Sequence, residues 1–192
     1  MKTPASHLGQ QSVAIKQPIY RGPEPDTYRG FTFGVERLAD IVEDIKWLHR
    51  QHWNETERLY QTGDCDPDYD RMIALEKMYS FLMFVVRDED NTIVGNLVYN
   101  LTYSLHKRGQ LNAYENAFYL AKSARTGHLA MKVMDYAERI LTELGVHCLT
   151  IGDKSPAGGV SIAKLATRRG YQPISVGYMK NLEAPREWNI RQ

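Results

Sequence analysis

Leu38, Ile41, Val42, Ile45, Leu48 and His52 recur at three- and four-residue spacing, while Asp40, Glu43, Asp44 and Arg50 fall on the other side. That pattern predicts an amphipathic helix over residues 35–53. A second short helix is expected around Glu55–Gln61, ending at Gly63, and another turn over Met72–Tyr79. The period then changes. Phe81–Arg87 is apolar and bounded by Asp88-Glu89-Asp90-Asn91, and Thr92–Tyr103 continues as a second strand, so the two predict a hairpin. Gly95 inside the second strand marks a bulge. After the turn Lys107-Arg108-Gly109, Glu115–Lys122 reads as a third strand. Leu129–Leu144 is the best helical pattern in the chain and stops on Gly145. Val146–Ile151 reads as a short buried strand, Val160–Arg169 as a helix stopped by Gly170, and Val176–Leu182 as the last strand. There is no internal repeat.

Residues 1–28 show neither period and contain Pro4, Pro18, Pro23 and Pro25, so they are expected to form an extended arm outside the core. The division is therefore an arm (1–28), an α/β domain (29–182) and a C-terminal tail (183–192). With 192 residues, 43% of them hydrophobic, the chain can bury a core without metal or disulfide staples. Its two cysteines, Cys65 among aspartates and Cys148 in an apolar run, imply no disulfide framework and suit a reducing compartment. No apolar run approaches a membrane span, and the first twenty residues lack a signal-like stretch, so a cytoplasmic location is expected. A net charge of +1 points to neither nucleic acid nor membrane. The charge is uneven, however. Residues 54–90 hold ten acids and four bases, and residues 121–192 hold eleven bases and six acids. An acidic front and a basic back suit a cationic acceptor and an anionic cofactor, and equally suit two solvated faces.

Two local motifs carry more. The strand-to-helix junction reads Leu120-Ala-Lys-Ser-Ala-Arg-Thr-Gly-His-Leu-Ala130, followed by the helix MKVMDYAERILTELG. Farther on, Leu165-Ala-Thr-Arg-Arg-Gly-Tyr171 closes a helix on a Gly-aromatic pair, and Val176-Gly-Tyr-Met-Lys180 is an aromatic-apolar-basic strand. Together with the element order across residues 29–182, these resemble the GNAT superfamily of N-acetyltransferases. Phage genomes encode divergent GNAT-like proteins of this size, which the chain also resembles. The resemblance implies a mixed, mostly antiparallel central sheet flanked by helices on both faces. It also implies acetyl-CoA as cofactor and an amine as acceptor.

In the family the junction carries Arg or Gln, two residues, Gly, one residue, then Gly or Ala. Arg125 and Ala130 match the two ends; His128 stands where the middle Gly belongs, with Gly127 one residue early. A helix N-terminus presents unpaired N–H groups and the positive end of its dipole, which together bind a pyrophosphate. The resemblance thus assigns the cradle to the N–H groups of Gly127, His128, Leu129 and Ala130. Arg125, Lys132, Lys164 and Arg168 are its phosphate partners. The N–H of Leu120 or Ala121 would polarise the thioester carbonyl, and Glu115 on the same strand is the base for the amine. The family's acid tyrosine corresponds to Ala166 and its Asn to Gly159, so two functional positions are blank. Tyr178 and Tyr171 are the remaining proton sources.

Other constellations lead nowhere. The run Asp64–Asp70 has Tyr69 and Leu75 where a calcium loop needs Gly and Glu. His49 and His52 lie three apart on a helix without an evident third metal ligand. Two functions from different classes follow. One is an acetyl-CoA-dependent N-acetyltransferase with a cationic acceptor. The other is a catalytically degenerate GNAT-like domain, such as a phage virion component, anchored to a protein partner through residues 1–28.

Overall fold

A computed structural model of the chain describes residues 23–59, 61, 63–154, 161–175 and 177. Residues 1–22 of the expected arm, the strand expected over 176–182 (apart from Gly177), Gly159 and the tail lie outside the described residues. Six strands form one sheet in sequence order: β1 (Asp26–Tyr28), β2 (Phe31–Val35), β3 (Phe81–Arg87), β4 (Ile93–Tyr103), β5 (Leu111–Leu120) and β6 (Val146–Thr150). Neighbours are antiparallel except β5 and β6, which run parallel. Four helices flank the sheet: α1 (Leu38–Glu55), α2 (Tyr69–Lys77), α3 (Leu129–Glu143) and α4 (Ala163–Arg168). The class is the mixed, mostly antiparallel α/β arrangement expected from the sequence.

Helices cover both faces of the sheet. Phe81 and Met83 of β3 and Asn96 and Val98 of β4 line a cavity beside α1. Their neighbours in sequence, Phe84 and Tyr99, point the other way, where Phe84 meets Tyr136 of α3 edge-on. Double coverage explains why β3 and most of β4 are buried without alternation. An antiparallel strand with one wet face would alternate.

Several elements differ from the pattern-based reading. Asp26–Tyr28, placed in the arm, pairs with β2 as an edge strand. Val35 ends β2, and α1 starts three residues later than the helical period suggests. Leu38 N–H, in the first turn of α1, donates to the buried Glu76 carboxylate of α2 at 2.8 Å. A carboxylate there also complements the helix dipole. Glu57–Leu59 is a single 3₁₀ turn, not a helix. Asp68 in the acidic run is the N-cap of α2, accepting the Arg71 N–H at 2.9 Å. The third strand begins at Leu111, four residues early. β6 is half-buried to exposed, not buried, because it borders the described sheet on one side only. The bulge expected at Gly95 is present: Val86 pairs with Gly95 and Arg87 with Ile93, leaving Val94 unpaired. A Cβ on Gly95 would stand 2.4 Å from Leu120 Cδ2. The absent side chain is what lets the end of β5 close onto β4. Among the described residues, no helix is long and apolar enough to cross a membrane.

Candidate functional site

β5 and β6 pair from Leu111↔Val146 to Tyr114↔Thr150 and then separate. β5 continues to Leu120 while β6 ends, so one edge of Glu115–Leu120 has no strand partner among the described residues. Glu115 stands at the fork and accepts the Gly152 N–H at 2.7 Å. Burial raises its carboxyl above the ordinary range, and the Glu57 charge adds to this, against the lowering effects of the Gly152 N–H and Lys154. One residue on, β5 bulges: Val98 pairs with Ala117 and Tyr99 with Glu115, leaving Asn116 unpaired. The two N–H groups expected to polarise a carbonyl are not equivalent. Ala121 N–H donates to Val94 O on β4 at 2.8 Å. Strand alternation turns Leu120 the other way, toward the open edge, and its carbonyl there accepts Arg125 Nε at 2.8 Å.

The chain then enters α3. Gly127 is left-handed (φ +53), and a Cβ on it would meet Tyr28 Oη at 2.8 Å and Arg29 Nη1 at 2.9 Å. His128 is the N-cap; its side chain makes no capping bond and the residue is exposed, while its N–H donates to Tyr28 Oη at 3.3 Å. Leu129 N–H donates to Thr126 O at 3.2 Å. Ala130, two positions past the cap, has no intrahelical acceptor for its N–H. Of the four expected cradle donors, Gly127 and Ala130 are therefore the open ones; His128 N–H is taken by Tyr28 at the tip of the β1–β2 hairpin and Leu129 N–H by Thr126 O. Arg125, expected on phosphate, points at Glu55 instead, with Nη2 2.6 Å from the carboxylate. Tyr119 Oη donates to the same carboxylate at 2.9 Å, and Lys122 lies 3.8 Å away. Burial alone would raise Glu55, but the bonds from Arg125 and Tyr119 and the nearby cations hold it below the ordinary carboxylate range.

On the α1 face a cavity of about 330 Å³ opens between α1, the α1–α2 loop and the middle of β3–β5. His49 is its most constrained polar group. Asn96 Nδ2 lies 3.3 Å from His49 Nε2 and Tyr69 Oη 3.0 Å from Nδ1; with the amide in this orientation Nε2 accepts and Nδ1 carries the ring proton. Burial, with the His52 charge, lowers His49 to about 4, so the ring is neutral at pH 7. His52 stacks on Tyr119 and sits 3.4 Å from Glu57. Burial lowers it too, against the raising effect of Glu57.

The remaining expected residues are dispersed. Lys164 and Arg168 on α4 and Lys132 on α3 are exposed, and no hydrogen bond or ion pair ties them to the first turn of α3. Tyr171 donates to Glu138 at 2.7 Å and is held protonated by burial and that bond, which makes it a structural group. Ala166 caps its own helix turn, its carbonyl accepting Tyr171 N–H. Tyr178 lies outside the described residues. Sequence reasoning missed Tyr28, Arg29, Glu55, Trp53 and Asn96. Only Trp53 left a trace: it and His52 extend the apolar stripe of α1 with polar-tipped rings.

No family profile matches the sequence, and no curated protein resembles it in sequence. Solved structures do resemble it in shape. An aminoglycoside acetyltransferase from an uncultured soil metagenomic sample superposes with a TM-score of 0.56 at 14% identity, over 82% of this chain and 97% of that one. Glucosamine-6-phosphate N-acetyltransferase from Arabidopsis thaliana gives 0.57 at 13%, over 80% and 99%. Ribosomal-protein-alanine N-acetyltransferase from Brucella melitensis biovar Abortus 2308 gives 0.59 at 14%, over 80% and 99%. With the forked β5–β6 pair leading into the open N-terminus of α3, these likenesses show that the chain has the fold of the GNAT acetyltransferases.

Proposed function

We propose that the chain is an acyl-CoA-dependent N-acetyltransferase. One observation carries the reading: the free edge of β5 beyond the fork ends at the α3 N-terminus, and the α1-face cavity reaches the same strand at Asn116 and Ala117. A thioester laid along that edge would meet the cavity at the bulge. The fold neighbours named above, all acetyltransferases, support it.

Acetyl-CoA supplies an activated acyl carbonyl. The residues present fit it. Gly127 and Ala130 offer open N–H groups to the pyrophosphate, and the absent side chain at Gly127 lets Tyr28 and the Arg29 guanidinium lie against the same turn. Leu120 N–H points to the open edge, where it can stabilise developing charge on the carbonyl oxygen. Glu115 beside the fork takes the proton of the attacking amine; its raised carboxyl matches a base better than an ordinary one does. As the amine nitrogen bonds to the acyl carbon in place of sulfur, Tyr178 would be the suggested proton donor to the departing thiolate. The amine reaches the carbonyl through the α1-face cavity, whose rim carries Glu57, Asp64 and Asp66.

Calorimetric titration with acetyl-CoA tests the reading. At a hundred times its dissociation constant, the coenzyme should stabilise the fold by about 2.7 kcal/mol. Ala130→Asp should abolish binding by placing a negative charge against the pyrophosphate. It should leave thermal stability unchanged or slightly raised, because an acid in the first turn favours the helix. Unaltered affinity in this variant would show that the coenzyme does not sit on α3.

A further inference from the structure

Two buried polar atoms lack a hydrogen-bond partner among the described residues, and both belong to side chains lining the same cavity. They are Asn96 Oδ1 and Trp53 Nε1. Asn96 is 1% exposed, and its amide nitrogen is already committed to His49. With the amide in this orientation its oxygen is the end left as an acceptor. Trp53 offers the complement, since an indole nitrogen only donates. Leaving such atoms unsatisfied costs more than making the bond returns, so native structures rarely retain them without reason. Here the two atoms have opposite hydrogen-bonding character, and their side chains line one space.

The rest of the lining narrows the ligand. Glu57, Asp64 and Asp66 carry negative charge, the described lining residues include no Lys or Arg, and burial keeps His49 neutral. Met72, Phe81, Met83 and Val98 supply an apolar floor. That charge disfavours a carboxylate or phosphate ligand and favours a cation. A plain alkylamine would satisfy Asn96 and the acids but leave the indole N–H unpaired.

We propose that this cavity recognises a cationic amine whose skeleton also bears a neutral oxygen acceptor, an amino alcohol or amino amide. Its N–H is received by Asn96 Oδ1 and its oxygen by Trp53 Nε1. As an acceptor specificity this rests on the acyltransferase reading; as a binding site it does not.

The test uses the coenzyme-free full chain and two probes matched in length, pentylamine and 5-aminopentan-1-ol, followed by NMR. The chain has three tryptophans, so the indole region holds few resonances, and Trp53→Phe assigns the relevant one. The amino alcohol should move the Trp53 indole N–H resonance downfield and bind about tenfold more tightly than pentylamine, the discrimination one satisfied buried donor provides. Trp53→Phe, which keeps an aromatic ring at the position but removes the indole N–H, should erase that difference while pentylamine affinity stays the same. Equal affinity of the two probes, or an indole resonance that neither moves, would overturn the proposal. A chain that fails to bind acetyl-CoA yet discriminates between the probes would refute the acyltransferase reading and leave the amine site standing. A chain that binds the coenzyme but not the amino alcohol would do the reverse.

Discussion

The two faces of the sheet are built on opposite rules. Toward α3, Phe33, Phe84, Tyr99 and Tyr136 interlock: Tyr136 meets Phe33 and Phe84 edge-on at 5.7 and 6.0 Å, and Phe84 meets Tyr99 at 6.2 Å. All four are nearly inaccessible. Toward α1, the same strands present Asn96, with His49, His52 and Trp53 opposite, around an open cavity with two unsatisfied atoms. Successive residues of one strand thus serve different ends. One face is filled and fixes the fold; the other keeps hydrogen-bonding capacity in reserve for something that is not protein.

The largest effect that could break this comparison is on the filled face. Phe84→Ala removes a ring with no exposed surface that packs against two others, and should cost about 3–5 kcal/mol in chemical denaturation. A loss under 1 kcal/mol would mean that the aromatic layer is not what holds the sheet.

Next comes a pH effect on the open face. The ordinary His49 value is 6.5 and the folded one about 4, so the unfolded chain takes up a proton first as pH falls. The resulting stability is full above pH 6.5 and is lost progressively between 6.5 and 4. His49→Gln should flatten that slope, removing a dependence of roughly 2–3 kcal/mol between pH 7 and 4. Identical slopes in the two proteins would show that His49 is free to protonate in the fold.

The smallest effect concerns Glu55. Its folded carboxyl is depressed, so its contribution is present above the ordinary glutamate range and fades as pH falls through the folded value. The carboxylate and Arg125 are both partly exposed, so Glu55→Gln should cost under about 1 kcal/mol at neutral pH, and nothing in acid. A thermal melt series across pH resolves the two regimes.

What the sequence made legible followed locality. The α3 stripe, its stop at Gly145, the β3–β4 hairpin and the Gly95 bulge are encoded within short windows, and the structure has them. β1 and β2 escaped because they are short and follow Pro23 and Pro25, and because β2, the partner of β1, is itself defined by pairing with β3 some fifty residues later. The start of β5 was missed for the same reason, since Leu111–Tyr114 takes its parallel partner from beyond α3. At the site, the junction motif located the α3 N-terminus. It could not show that Arg125 would turn to Glu55, seventy residues away in sequence. The cavity was the least legible feature. Asn96 reads as one polar residue inside an apolar strand, and His52 as one more position of the helical stripe. Only the packing of α1 across β4 gives either a role.

The cap that Glu76 places on α1 has a consequence for the order in which the molecule is assembled. The Leu38 N–H finds its acceptor thirty-eight residues away, so the first turn of α1 is completed only when α2 has docked. The two elements that wall the cavity are thereby locked to one another. The cavity exists only where α1 and α2 are docked on one another, and a molecule in which they have parted has nowhere to hold its ligand.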